Sequence, residues 1–163
     1  TYTKNEAKVV VSGMKDRVGI AGDLFSLVGE AGIGVDVIVQ NVSKDGTADI
    51  SFTVHRGDLK KTLKVLNDAK SILQFQHTQG DERISKVSVI GNGMRSHSGV
   101  AAQTFKALAN ENINIQMIST SEIKISCVID EKYTELAVRI LHDTFKLDQV
   151  TATEEETWGV ASK

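Results

Sequence analysis

Proline is absent from the chain, although average usage of ~5% would give about eight in 163 residues. No helix start is therefore pre-set by a ring-locked φ. The single cysteine, Cys127, excludes an internal disulfide and fits a reducing cytoplasm. Basic side chains are in slight deficit, 19 Lys and Arg against 21 Asp and Glu, and neither half of the chain is a basic patch. With a net charge of −2, that argues against a nucleic-acid surface. No apolar run approaches the ~20 residues that span a bilayer, and the N-terminus has no signal-peptide pattern, so no membrane partner is expected. The four histidines, His55, His77, His97 and His142, lack HxxxH or Cys/His spacing, and no metal site is expected. Neither a dinucleotide fingerprint nor a phosphate-binding P-loop occurs, so nothing calls for a cofactor. The chain opens on Thr1 instead of methionine, as a fragment or a processed product would.

What the chain does have is a repeat. Gly13, Met14, Gly19, Ala21, Phe25, Ile33 and Ile38 recur without a gap, 80 residues later, as Gly93, Met94, Gly99, Ala101, Phe105, Ile113 and Ile118. A shared period this long means two copies of one folded unit, expected over residues 5–79 and 82–157. Each is near the small end for a stable core, so the units should pack on each other or on a second chain.

Within copy one, Ala7, Val9 and Val11 alternate with polar residues as a strand from Glu6 to Ser12. Gly13 to Val18 reads as a polar loop. Ile20, Leu24, Phe25, Val28 and Ala31 then recur at helical spacing. Gly32 is placed to end that helix in the left-handed conformation, with Asn112 in the same role in copy two. Gly34 to Val42 reads as a buried strand, Lys44 to Gly46 as a hairpin turn and Ala48 to Val54 as a half-buried strand. Asp58 to Asp68 is an expected helix, Ile72 to Thr78 a closing strand and Gly80 to Glu82 a linker. Copy two repeats the pattern with a hairpin five residues shorter: strands from Val87 and Ile113, alternation from Ile123 to Ile129, a helix from Tyr133 to Phe145 and a last strand from Leu147 to Thr153. Glu154 to Trp158 reads as a tail. The fold class is α+β, two ferredoxin-like βαββαβ units, each an antiparallel four-stranded sheet with its helices on one face. The other face or the edge of each sheet is left to be covered.

No catalytic residue stands out. The repeat sets Cys127 opposite Phe52 on an alternating strand, which points to core packing. The polar residues that cluster lie in the loop from the first strand into the first helix. Asp16 stands just ahead of a helix start where the small residues Gly19 and Ala21 leave backbone N–H groups open, flanking Ile20. A carboxylate beside such amides can hold both ends of an α-amino acid, and Gln40 could read its side chain. A plainer reading has Asp16 capping its helix and Gly19 allowing tight packing. Copy two carries Ser96 in place of Asp16, so the two pockets have diverged.

The segments Val39 to Ser43, VQNVS, Gly93 to Gly99, GMRSHSG, and Ile118 to Ser126, ISTSEIKIS, resemble the paired ACT domains of the aspartate kinase regulatory region. The resemblance covers nearly the whole chain. It implies feedback control by threonine, lysine or both over a catalytic aspartate kinase chain whose kinase region is absent here, and assembly as a homodimer. It implies a threonine-type site of Asp16, Gly19, Ile20, Ala21 and Gln40, completed by Asn112, Asn114 and Ile115 from a partner chain. It implies a second, lysine-type site at Met94, Ser119, Thr120, Ser121 and Glu122. It also implies that edge strands are exchanged between the units. Val18 and Ser98 depart from the family, where proline often precedes the loop glycine. Two other functions fit the topology less well. An acylphosphatase-like hydrolase would need Arg17 and Asn41, which only copy one has, and sheet-borne RNA recognition would need paired aromatics, of which Phe52 alone is present.

Overall fold

The computed structural model describes residues 1–91 and 99–147. Its strands are β1 (Tyr2–Thr3), β2 (Glu6–Lys15), β3 (Val35–Val42), β4 (Thr47–His55), β5 (His77–Asp81), β6 (Ile84–Ile90), β7 (Met117–Thr120) and β8 (Lys124–Asp130). The helices are α1 (Ile20–Glu30), α2 (Leu59–Asp68), α3 (Lys70–Leu73), α4 (Val100–Asn110) and α5 (Thr134–Thr144). They build two antiparallel four-stranded sheets, ordered β3-β4-β2-β5 and β1-β6-β8-β7.

Alternation decides which face each strand buries. Ala7, Val9, Val11, Ile50, Phe52 and Val54 point to one side of the first sheet and close a core with Leu24 and Val28 of α1 and Leu66 of α2. The rings of Phe25 and Phe52 meet edge to face, 5.2 Å between centroids. In the second sheet Val87, Ile125, Cys127 and Ile129 close on Leu108 of α4 and Ala137 and Leu141 of α5.

Several expectations need correction. Gly34 to Val42, read as a buried strand, holds an edge strand, β3, of which only Val37 is buried while Ile38 and Val42 are exposed, because the strand has a neighbour on one side alone among the described residues. The strand read from Ile72 to Thr78 starts at His77, because one more helical turn, α3, carries Leu73 and Phe75 into the core while Ile72 stays 63% exposed. Gly80 and Asp81, read as linker, belong to β5 and pair with Val9 and Lys8. The strand read from Ile113 begins only at Met117. The expected strand 147–153 and the tail lie outside the described residues, apart from Leu147.

A strand absent from the sequence reading appears at the start of the chain. Tyr2 and Thr3 pair with Val87 and Lys86, so the first residues extend the second sheet, beside β6, where the first sheet has β5 beside β2. A two-residue strand has too little pattern to be read from sequence.

The strand pairings refine the repeat. Val9 faces Phe52 and Val87 faces Cys127, so β2 and β6 correspond at an offset of 78 while β4 and β8 correspond at 75. Lys8 thus matches Lys86. Lys8 reaches Gln116 and Lys86 reaches Asp36, and Asp36 and Gln116 are themselves 80 apart. One contact is made twice, and Arg56 meets its own counterpart Glu131 at 3.1 Å. The units therefore pack open face to open face about an approximate two-fold axis. A small apolar cluster of Val37, Ile84, Met117 and Val128 fills the centre.

The two halves of that interface differ in charge. Lys86 donates to both Glu6 and Asp36 with its side chain 12% exposed, whereas Lys8, among the described residues, meets the neutral Gln116 alone. Burial lowers the Lys86 pKa, but its bonds to the two carboxylates outweigh this and hold it above the ordinary 10.5. The Lys86 hydrogen bond in turn holds Asp36 below the ordinary 3.8.

Candidate effector site

The loop between β2 and α1 is where the first unit presents polar groups. The expected polar loop is shorter than read, since Met14 is fully buried and Met14 and Lys15 pair with Ala48 and Thr47. Gly19 is the N-cap of α1 with φ +90, a left-handed conformation that disfavours any side chain, and it makes no side-chain cap bond. An added Cβ there would meet only Arg17 Nη1, at 4.0 Å. Its requirement is conformational, and close packing does not explain it. Nor does Asp16 cap the helix: its backbone N–H donates to Gly46 O at 2.9 Å, and its exposed carboxylate has no hydrogen bond or ion pair among the described residues.

Of the first-turn amides, Ile20 N–H donates to Arg17 O at 3.3 Å and Asp23 N–H to Gly19 O at 2.9 Å. Those of Ala21 and Gly22 have no intrahelical acceptor by helix geometry. Ile20 is 2% exposed, so it can offer a ligand backbone and not side chain. Arg17 is tied to Asp23, which keeps its cation beside the helix start. Gln40 lies in the cross-strand row Gln40, Ile50, Val11, two strands or roughly 10 Å from β2, and so faces the side that carries α1. Asp16, Gly19, Ala21 and Gln40 therefore share one end and one face of the first unit.

Asn112, Asn114 and Ile115 stand apart, on the connection from α4 to β7. Asn112 has φ +56 and donates to Ala109 O at 2.9 Å, as Gly32 does to Gly29 O at 2.8 Å, so it ends its helix in the expected left-handed manner. Ile115 borders a cavity of about 290 Å³ between the units, together with Val39, Asn41 and Ser51. The second group is split by the pleat. Ser119 pairs with Ser126 on the open face, where Ser126 and Ser88 hydroxyls meet at 2.8 Å, and Thr120 points to the opposite face. Ser121 closes the turn, its N–H donating to Lys124 O at 2.7 Å, with the exposed Glu122 beside it. Met94 lies outside the described residues, as do Ser96 and Ser98.

The other readings fare poorly here. Cys127 is 1% exposed, and burial raises its pKa to about 11, which leaves an inert thiol. Phe52 is fully buried and cannot stack on a base. Among the described residues, no group of three His, Cys, Asp or Glu could hold a metal, and no helix is long and apolar enough to cross a membrane.

Sequence reasoning missed Asp49, whose carboxylate accepts the Gly13 N–H at 2.8 Å, and the Lys86 cluster. The partners are 36, 80 and 50 residues apart, and no spacing rule joins them.

The model of the ACT domain matches this chain twice, over residues 8–69 and 87–145. The aspartate kinase Ask_LysC of Stutzerimonas stutzeri is 52% identical over 147 residues, and the aspartokinase of Helicobacter pylori 51% over 146. Each alignment takes in 90% of this chain but only 36% of the relative, so the chain spans about a third of those kinases. Among solved structures, one of aspartokinase alpha and beta subunits aligns over 90% of this chain and 96% of that one, at 51% identity and a TM-score of 0.85. The ligand-free regulatory subunit of Thermus thermophilus aspartate kinase aligns over 89% and 95%, at 33% identity and a TM-score of 0.83. The chain belongs to the ACT-domain family, and its two ACT units are those of the regulatory part of an aspartate kinase.

Proposed function

We propose that the chain is an amino-acid sensor that carries feedback control onto a catalytic aspartate kinase chain, with threonine as the ligand of its first pocket. The observation that carries this reading is the exposed Asp16 carboxylate, without a hydrogen bond or ion pair among the described residues, three positions ahead of the left-handed Gly19 that opens α1. A zwitterion fits such a pair, its ammonium on Asp16 and its carboxylate on the amides of Ala21 and Gly22. Gln40, on the same face, would meet the ligand's hydroxyl.

The pocket is open on one side in a single chain. β3 and β7 each have one strand partner among the described residues, and Ile38 and Ile118 on them are 51% and 43% exposed. A homodimer that covers these edges would bring Asn112, Asn114 and Ile115 of the partner subunit to the first pocket. Binding then favours the closed dimer, and a preference of about 1 to 3 kcal/mol suffices for regulation.

Lysine is the proposed ligand of the turn at Ser119 to Glu122, together with Met94. A structure of E. coli aspartokinase III contains lysine and aspartate, but at 20% identity its likeness is one of fold, and it is a reason only to test lysine. Sedimentation of the chain with threonine, lysine or both, beside the other aspartate-family amino acids, tests the proposal. Threonine is expected to shift the population toward dimer. A sedimentation profile unmoved by every one of these amino acids would refute it.

A further inference from the structure

We propose that Asp49 is a positioning residue of the first effector pocket, acting by holding the β2–α1 loop against the β3–β4 hairpin. The inference rests on the reading of that pocket given above.

Strand β2 leaves regular pairing between Val11 and Met14, where Gly13 takes φ +69. The Gly13 N–H turned out by this irregularity is accepted by Asp49 Oδ1 at 2.8 Å. Past the bulge Met14 and Lys15 resume pairing with Ala48 and Thr47, and Asp16 N–H donates to Gly46 O. The residue that would take the ligand's ammonium is therefore fixed by its backbone to the tip of a hairpin. That hairpin is itself held: Ser43 N–H donates to Thr47 O at 2.8 Å, and Asp45 accepts from Thr47 N at 3.0 Å and Thr47 Oγ1 at 2.7 Å. Asp49 sits in β4 opposite Asn41 of β3, so the strand that holds the loop through the Asp49 carboxylate is also the strand that pairs with β3 and its Gln40.

The second unit has no carboxylate at the matching strand position. Its hairpin is five residues shorter, the position matching Asp49 is Lys124, and a cation cannot accept an amide. There, among the described residues, Gly91 N–H donates to Ile123 O at 3.0 Å. The brace holds the first pocket's loop in place before any ligand arrives.

The test is threonine titration of the wild-type chain and of Asp16→Ala, Asp49→Ala and Asp49→Asn, with amide hydrogen exchange read at Gly13 and Asp16. Asp49→Ala is expected to weaken binding about tenfold or more and to speed exchange at both amides. Asp49→Asn keeps an oxygen that can accept, and should stay within about threefold of wild type on both readouts. Unchanged threonine affinity in Asp49→Ala overturns the proposal. So does an equal loss in both Asp49 variants with exchange unaltered, which would assign the effect to charge and not to position. A wild-type chain that binds no threonine would refute the effector reading by itself. The exchange comparison then decides the brace alone, and wild-type protection in Asp49→Ala overturns it.

Discussion

Replacing Lys86 by methionine should expose how the two units are held together. Lys86 is the cation between Glu6, 14% exposed, and Asp36, 52% exposed, and Glu6 Oε2 is already buried without a partner. Removing the cation leaves Glu6 as an uncompensated anion in the interface. Truncating one member of a fully buried pair costs about 3 to 5 kcal/mol, while a pair as exposed as Lys86 with Asp36 is worth under about 1. With some water at both sites, we expect a loss of about 2 to 3 kcal/mol at pH 7. Glu6→Gln in the same chain should restore most of it, because a neutral amide does not need the cation. Urea unfolding followed by circular dichroism measures both. A loss below about 0.5 kcal/mol, or a double variant no more stable than Lys86→Met, would refute the account of the interface. The pH dependence follows from the two shifts. Asp36 has a depressed folded pKa, so its contribution is complete above the unfolded value near 3.8 and fades as pH falls through the folded one. Lys86 has a raised folded pKa, so its contribution is complete below 10.5 and fades as pH rises through the folded one. The part of the Lys86→Met penalty that comes from the Lys86–Asp36 pair should be level between those limits and shrink outside them.

Gly19→Ala forces a side chain into φ +90 and should destabilise the chain by about 1 to 2 kcal/mol. It should also weaken threonine binding more than Gly22→Ala, whose added Cβ meets nothing within 4 Å; calorimetry of the two variants checks this. Cys127 should resist iodoacetamide at pH 8 in the folded chain and react on unfolding, as mass spectrometry would show; fast labelling of the folded chain would contradict its burial. Phe52→Ala should cost about 3 to 5 kcal/mol in the same urea assay, since it empties the centre of the first core beneath Phe25.

Much of this fold is legible because each strand keeps one face in a core. Ala7, Val9 and Val11, or Ile125, Cys127 and Ile129, carry a period of two that leaves little choice of face. The left-handed helix ends at Gly32 and Asn112 are legible for a similar reason, since few residue types tolerate that φ. The misreadings come where pattern and length fail. Ile72, Leu73 and Phe75 look like a strand, and only packing against the first core reveals another helical turn there. Tyr2 and Thr3 are too few to show a period, and their partners are more than 80 residues away. At the candidate site, the loop and its helix start follow from local residue types. The brace by Asp49 and the clasp by Lys86 depend on which strands become neighbours, and no local spacing carries that information. The same holds for the difference between the two units. Sequence shows Asp16 against Ser96, but only the pairings show that the longer hairpin holds the first loop.

Calorimetric titration of threonine into the wild-type chain and into Asp16→Ala tests the central claim most directly. The account predicts saturable binding to the wild type and a loss of about tenfold or more in the variant, since a charge-assisted bond to the ligand's ammonium is removed. Equal threonine affinity in both proteins would contradict it.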